Sequence, residues 1–203
     1  MPNSTGIMQR TTRRHSACCA ALLLLALGTA AHAQSKQIKL DPAQTHITWT
    51  LGDVLHTVEG TFALKSGAIT FDPQTGEASG QIVVDAASGN SGNGMRDSKM
   101  KKDVLEAAKY PEIVFTPKHV SGFVAGQDSA TVQVAGDFTI HGGTHPLTLT
   151  LPVTAKGAQV AAHTQFDVPY EQWGMKNPST LFLKVSNTVQ IKIEAAGELQ
   201  AAR

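Results

Sequence analysis

Histidines are the side chains of this sequence best suited to proton transfer or metal binding. Of the eight in the 203-residue chain, six lie after residue 33. They are His46, His56, His119, His141, His145 and His163. His141 and His145 are four residues apart, but they flank a predicted turn, and no carboxylate motif of a zinc site accompanies them. Metal or small-molecule binding at histidines is therefore one hypothesis, and histidines packed in a core are the alternative.

Motifs of common hydrolases and nucleotide-binding loops are missing from the sequence. Ser88–Gly94 is rich in glycine, but the lysine and hydroxyl residue that complete a phosphate-binding loop do not follow it. Both cysteines, Cys18 and Cys19, lie in the first 33 residues. The remainder of the chain offers no thiolate nucleophile, disulfide or cysteine ligand. We therefore expect a binding protein without a cofactor rather than an enzyme.

The first 33 residues have the pattern of a cleaved secretory signal. Three arginines precede an apolar run, and an Ala-x-Ala cleavage pattern follows it. These features are Arg10, Arg13 and Arg14, the run Ala17–Gly28, and Ala31–Ala33. The run is too short for a stable membrane span. We expect cleavage after residue 33, a periplasmic mature chain over residues 34–203 without a membrane span, and export by the general or the twin-arginine route.

The charge of the mature chain excludes one class of partner. Residues 34–203 contain 14 basic and 16 acidic residues, a formal charge of −2. Binding of nucleic acid requires clustered lysine and arginine, so no nucleic-acid partner is expected. The net charge also gives no electrostatic reason for binding an anionic lipid surface. The length of the mature chain, residues 34–203, is sufficient for one domain with its own core.

The clearest strand pattern surrounds Gly142-Gly143. Apolar residues alternate with polar ones on both sides of these glycines. The apolar positions are Val132, Val134, Phe138 and Ile140 before them, and Leu147, Leu149, Leu151 and Val153 after them. Alternation with a period of two puts one set of side chains on each face of a strand. The stretch therefore predicts an antiparallel hairpin with one dry face.

The same alternation elsewhere predicts eight or nine short strands and an all-β fold. Trp49 lies in one such segment, and Val58 and Phe62 lie in the next, which is expected to end at a turn at Ser66-Gly67. Short strands at regular spacing are typical of a sandwich or a closed barrel. Closure would remove exposed strand edges, which promote aggregation.

One helix is predicted, over residues 97–109. Asp97 or Ser98 is placed to cap its first amides, and Pro111 stops it. The apolar stripe of this helix consists of Met100, Val104, Leu105 and Ala108.

Seven short motifs occur in a fixed order along the chain. They are Asp41–His46, Gly60–Phe62, Phe71–Pro73, Asn93–Asp97, Ala108–Phe115, Val134–Gly142 and Pro146–Leu149. This series resembles the YceI-like family of bacterial periplasmic proteins, a polyisoprenoid-binding, lipocalin-like group, and the resemblance covers Leu40–Ala195. The segment Tyr170–Thr180 departs from the commoner family version, which indicates a subgroup with its own barrel mouth.

The resemblance implies an eight-stranded antiparallel lipocalin-like barrel over residues 34–203, with the helix near one mouth. It also implies a periplasmic carrier that holds an isoprenoid-type lipid, such as a polyprenyl phosphate or a quinone tail, in an apolar interior. The predicted interior residues are Trp49, His56, Val58, Phe62, Val132, Val134, Phe138, Ile140, Leu147 and Leu149. An inward His56 could hold a headgroup oxygen or could be a core histidine.

Arg96, Trp173 and Met175 are the predicted mouth residues. Arg96 could clamp a phosphate, or it could only fix its loop to the barrel. Trp173 could line the mouth or plug one barrel end as core. Two alternative functions stay open. The barrel could be filled and act on a protein or redox partner through its loops, or the histidines could bind a small molecule or metal; the chain could also form a homodimer.

Overall fold

The structure, a computed structural model, describes residues 35–52, 57–124, 126–179 and 184–202. Ten strands are present in this part of the chain. They are β1 (Lys36–Leu40), β2 (His46–Gly52), β3 (Thr57–Phe62), β4 (Leu64–Phe71), β5 (Ala78–Asp85), β6 (Glu112–Ser121), β7 (Ser129–Ile140), β8 (Gly143–Lys156), β9 (Gln159–Val168) and β10 (Val189–Ala201). Every paired neighbour is antiparallel, as the alternating sequence pattern predicts.

The ten strands occupy eight positions around a closed barrel, and we call each of these positions a stave. Strand β10 pairs with β2 through its first half and with β1 through its second half, so β1 and β2 together form one interrupted stave. Strands β3 and β4 pair with β2 and β1 in the same way and form the next stave. The ring then continues through β5, β6, β7, β8 and β9 back to β10. The predicted eight-stranded antiparallel barrel is therefore confirmed.

The turn predicted at Ser66-Gly67 is wrong, because strand β4 runs through it to Phe71. A β-bulge between Leu64 and Ser66 lies at this point. The extra residue of a bulge reverses which parity faces inward. Leu64 therefore faces the interior before the bulge, and Ile69 faces it afterwards.

Strands β7 and β8 form the predicted central hairpin. Its two-residue turn is His141-Gly142, one residue earlier than the Gly-Gly pair, and Gly143 already pairs with Ile140. His141 and Gly142 have φ angles of 51° and 76°, as a type I′ turn requires. A Cβ on Gly142 would lie 2.6 Å from the ring of Tyr110, so the turn also needs glycine for space.

Strands β8 and β9 are paired only near their own turn. Val153–Lys156 pairs with Gln159–Ala162, and this ladder does not continue along the strands. Residues Gly143–Pro152 are paired with β7 on one side, and they have no ladder partner in β9 on the other. We call this unpaired stretch the β8–β9 seam.

Two prolines lie on the unpaired edge of β8. The residues that flank a two-residue turn, Ile140 and Gly143, form a hydrogen-bonded pair. Even-numbered residues of β8 therefore direct their backbone groups away from β7 and toward the seam. Pro146 and Pro152 are even-numbered and have no N–H to offer there. The sequence thus explains why the ladder stops.

The helix begins earlier than predicted. Helix α1 spans Gly94–Lys99 and continues as one π-helical turn, Met100–Val104. Its N-cap is Asn93, whose side-chain oxygen accepts hydrogen bonds from the N–H groups of Met95 and Arg96, both at 3.1 Å. Asp97 and Ser98, the predicted caps, lie inside the helix.

The helix also ends earlier than residue 109. The N–H of Leu105 donates to the carbonyl of Met100, and Glu106 has a φ of 46°, which no helix can continue through. Ala107 is consequently the buried alanine, whereas Ala108, predicted in the apolar stripe, is exposed. In the described ranges, no helix has the length and apolar character needed to cross a bilayer.

Candidate ligand-binding tube

The inward-facing side chains leave two adjoining apolar chambers inside the barrel. The helix-side chamber has a volume of about 410 Å³ and the far chamber about 190 Å³. Six residues line both chambers and form what we call the waist. These are Ile47, Val84, Ile113, Phe138, Phe166 and Ile193. A solidly filled barrel, one of the alternatives, does not fit chambers of this size.

The chambers lie in line along the strands. Strand β7 contributes Ile140 to the helix-side chamber, Phe138 to both chambers and Val134 to the far chamber. At the waist the rings of Phe138 and Phe166 meet edge to face, with centroids 5.9 Å apart. The two chambers therefore adjoin at the constricted waist and follow one another along the strands, and together we call them the tube.

Helix α1 and the predicted interior residues line the helix-side chamber. The predicted residues found there are Trp49, Val58, Phe62, Phe138 and Ile140. Trp49 is only 4% exposed. A Cβ on Gly60 would lie 2.4 Å from the Trp49 ring, so the facing glycine makes room for the indole.

The far chamber is lined by the other predicted interior residues, Val132, Val134, Leu147 and Leu149. Asp128 lines the opposite end of this chamber from the waist, and its described lining residues include no lysine or arginine. The remaining predicted interior residue, His56, lies outside the described residues, so its predicted role stays a prediction.

The helix-side mouth carries positive charge. Arg96 and Lys99 both line the chamber, and no carboxylate is among its described lining residues. The Nε of Arg96 donates to the hydroxyl of Ser91 at 2.7 Å, and its Nη2 donates to the Ser91 carbonyl at 3.0 Å. Arg96 therefore fixes the loop, as one of its two predicted roles requires, and it also lines the mouth, whereas clamping of a phosphate stays a prediction. The Nζ of Lys99 lies 3.5 Å from the carbonyl of Pro178.

Asp97 forms no direct ion pair with Arg96 or Lys99, because its carboxylate is hydrogen-bonded to Ser91. The N–H and hydroxyl of Ser91 donate to its Oδ1 at 2.9 and 2.5 Å. Asp97 is 8% exposed. The hydroxyl and N–H of Ser91, with Lys101 and Arg96 nearby, hold the pKa of Asp97 below its ordinary value despite burial.

Tyr170 gives the helix-side chamber a neutral hydrogen-bonding group. Its ring lines the chamber, and its hydroxyl donates to the carbonyl of Ser186 at 2.5 Å. Burial, and secondarily the nearby Glu171 charge, raise the pKa of Tyr170 to about 12. The phenol therefore stays protonated and ties residues 169–175 to the segment that leads into β10.

The two predicted mouth residues of this segment have different positions. Met175 is buried and lines the helix-side chamber. Trp173 lines neither chamber. Its ring stacks on His145 with centroids 4.0 Å apart, and it lies 5.8 Å from Phe138. The structure thus supports the interpretation of Trp173 as a plug rather than as a ligand contact.

The described histidines are dispersed. His145 lies under Trp173, and His141 packs on Tyr110 with its Nε2 3.6 Å from a carboxylate oxygen of Glu106. His46 is exposed on the outer face of the sheet. Within the described ranges, no group of three or more His, Cys, Asp or Glu side chains has metal-binding geometry.

Several lining residues were not predicted from sequence. Phe166 and Val168 share the inward parity of Val160, so the alternation in β9 could have identified them. Lys99 and Tyr170 had no such signal, because a helix end and an irregular loop position them.

A closed antiparallel barrel around an apolar tube, with a helix at one mouth, defines a lipocalin-like barrel protein. The model of the YceI-like domain matches residues 38–196, and the chain belongs to the YceI-like family. A UPF0312 protein of Pseudomonas putida strain W619 is 29% identical over 192 residues, covering 87% of this chain and 95% of that protein.

Two solved structures share this fold. BcnA from Burkholderia cenocepacia superposes with a TM-score of 0.61 at 22% identity, covering 77% of this chain and 98% of that one. A polyisoprenoid binding domain from Saccharophagus degradans, implicated in plant cell wall breakdown, has a TM-score of 0.64 at 19% identity. That match covers 80% of this chain and 98% of the other.

Proposed function

We propose that this protein is a periplasmic carrier that binds an isoprenoid-type lipid in its barrel, with the polar end of the lipid at the helix-side mouth. The observation that carries the proposal is the tube. Its larger chamber, about 410 Å³, has the size of a small-molecule site and joins a second chamber through the waist. Both are lined almost entirely by hydrocarbon side chains.

A long apolar chain suits this shape better than a compact ligand. Because the chambers lie end to end, a flexible chain can occupy both by passing Phe138 and Phe166. Each methylene group removed from water contributes roughly 0.8 kcal/mol. Binding of this kind requires no nucleophile or general base, which favours a carrier over an enzyme. The polyisoprenoid-binding domain among the structural neighbours supports the same class of ligand.

The charges at the two ends orient the lipid. Arg96 and Lys99 line the helix-side mouth, whereas Asp128 lines the far end. A phosphate or a quinone carbonyl accepts hydrogen bonds from such cations. We therefore expect the polar headgroup at the helix side, with the tail directed through the waist.

The periplasmic location rests on the signal pattern of residues 1–33. Cell fractionation with mass measurement of the N-terminus tests it. A mature chain that begins near Gln34 and is released with the periplasmic contents is expected. Retention of residues 1–33, or recovery in the cytoplasm, would contradict it.

Native mass spectrometry of protein purified from the periplasm tests the ligand class. We expect a co-purifying hydrophobic mass, and uptake of a prenyl phosphate by delipidated protein. Arg96→Gln/Lys99→Gln should weaken binding of the prenyl phosphate by about tenfold or more and leave binding of the uncharged prenol unchanged. The matched control is Lys39→Gln/Lys192→Gln, since both lysines are exposed on the outside of the barrel. Absence of any bound lipid and of uptake would remove the proposal.

A further inference from the structure

Met95 is a highly exposed apolar side chain at the start of helix α1. It is 85% exposed. Among the described residues, the other large apolar side chain with high exposure is Val124, at 47%. A single exposed methionine is common on protein surfaces. The position of Met95 makes it a candidate for a functional contact, because it adjoins Arg96, which lines the helix-side mouth.

Positive charge surrounds Met95. Arg96, Lys99 and Lys102 are all exposed along the same helix and its π-helical turn. We call Met95 and these three cations the Met95 face. Lys176 is exposed as well, next to the lining residue Met175.

Among the described residues, no carboxylate of the same segment forms an ion pair with these cations. Asp97 is buried against Ser91, and Glu106 is directed toward His141. Asp103 lies in the π-helical turn and is half-buried. The Met95 face is therefore positive although residues 34–203 carry a formal charge of −2.

The opposite end of the barrel has mixed charge. Val124 is exposed there, and so are Lys156 and the acidic residues Glu77 and Asp128. Among the described residues, the exposed apolar side chain at the helix side adjoins three exposed cations, whereas at the opposite end exposed carboxylates accompany the exposed lysine.

We propose that the Met95 face docks on the anionic surface of a lipid bilayer and turns the helix-side mouth toward the membrane. Lysine and arginine near such a surface each favour binding several-fold, and an apolar side chain between them enters the headgroup layer. This inference rests on the lipid-carrier function, because a lipid leaving the bilayer would then enter the tube without crossing water. An acidic protein would match the cations, but not their placement at the lip of an apolar tube.

Vesicle co-sedimentation tests the docking. The probes are vesicles of phosphatidylcholine alone and of equal parts phosphatidylcholine and phosphatidylglycerol. We expect binding to the anionic vesicles only, weakened by added salt. Met95→Ser/Lys102→Glu should reduce that binding by about tenfold or more. Val124→Ser/Lys156→Glu makes the same chemical changes at the opposite end of the barrel and should bind vesicles like the wild type.

A second readout separates docking from lipid uptake. Met95 and Lys102 line neither chamber, so the Met95→Ser/Lys102→Glu variant should still take up a prenyl chain delivered from detergent. Vesicle binding without any uptake of a prenyl chain would refute the carrier and leave the docking standing. The docking is overturned if the wild type ignores anionic vesicles, if both double variants bind equally, or if the face instead binds an acidic protein and no vesicle.

Discussion

Ser91 organises the charged residues at the helix-side mouth. Its hydroxyl donates to Asp97 and accepts from Arg96, and its carbonyl accepts a second bond from Arg96. Arg96 is held in position through a neutral serine rather than by direct pairing with the carboxylate. The guanidinium therefore keeps donors free for an anionic headgroup.

Ser91→Ala should raise the pKa of Asp97 toward its ordinary value of 3.8 and lower the free energy of unfolding at neutral pH. Because the folded-state pKa of Asp97 lies below its unfolded value, the carboxylate stabilises the fold above that unfolded value. This stabilisation is lost as the pH falls through the folded-state pKa. The stability difference between variant and wild type should therefore shrink below a pH of about 4.

Carboxyl carbon NMR titration and urea unfolding at several pH values measure these two effects. Ser91→Thr keeps the hydroxyl and serves as the control. A stability difference that is the same in acid as at neutral pH would show that Asp97 does not depend on Ser91.

Gly60→Ala should destabilise the barrel by about 1–3 kcal/mol, because the new methyl group overlaps the indole of Trp49. Gly52→Ala, in the neighbouring strand, has no atom within 4 Å of the added Cβ and is the matched control. Urea unfolding followed by circular dichroism compares them. Equal effects would mean that Trp49 does not pack on Gly60.

At the residue scale, the direction of a side chain could be predicted where it follows from strand alternation. Trp49, Val134 and Ile140 belong to this group, and each lines a chamber. Trp173 and Lys99 do not, because no period fixes the direction of a side chain in an irregular loop or at a helix end.

At the scale of elements, the sequence predicts the strands better than their interruptions. Ser66-Gly67 has the composition of a turn, but the same residues also suit a β-bulge, and pairing with β5 decides between them. The helix bounds failed for a similar reason. Asn93 and Asp97 are both good caps, and Asp97 is drawn to Ser91 instead.

Gly142→Ala should cost more stability than Gly157→Ala. Both glycines have positive φ, 76° and 62°, so both alanines carry backbone strain. Only at Gly142 does the added methyl group also overlap the ring of Tyr110. We expect a difference of about 1 kcal/mol or more in urea unfolding. Equal losses in the free energy of unfolding would show that the ring of Tyr110 moves aside without a measurable loss of stability.

At the scale of the whole molecule, the two chambers in line give the tube a length as well as a volume. This length should determine which lengths of prenyl chain bind best. Ile140→Trp fills the helix-side chamber and should weaken binding of short and long prenyl chains alike. Val134→Trp fills the far chamber and should weaken only the long chains. Calorimetric titration with prenyl phosphates of two lengths, on variants shown to be folded, measures this. Loss of short-chain binding in Val134→Trp would contradict the arrangement of the chambers in line.

Net charge is a whole-molecule property that does not show how charge is distributed over the surface. A formal charge of −2 gives no reason to expect an anionic surface as a partner. The fold gathers Arg96, Lys99 and Lys102 beside one mouth, while Asp97, in the same helix, is buried against Ser91. Composition cannot reveal this separation, because it depends on where the short helix meets the barrel.

The prolines of the β8–β9 seam have a consequence for solubility. An unpaired strand edge in a barrel is a template to which a foreign chain could add as an extra strand. Such addition is the first step of fibril growth. Of the five even-numbered positions from Thr144 to Pro152, two lack the amide hydrogen that such an intruder needs. The edge of β8 at the β8–β9 seam is therefore a poor template for the addition of a foreign strand, even though it has no ladder partner in β9.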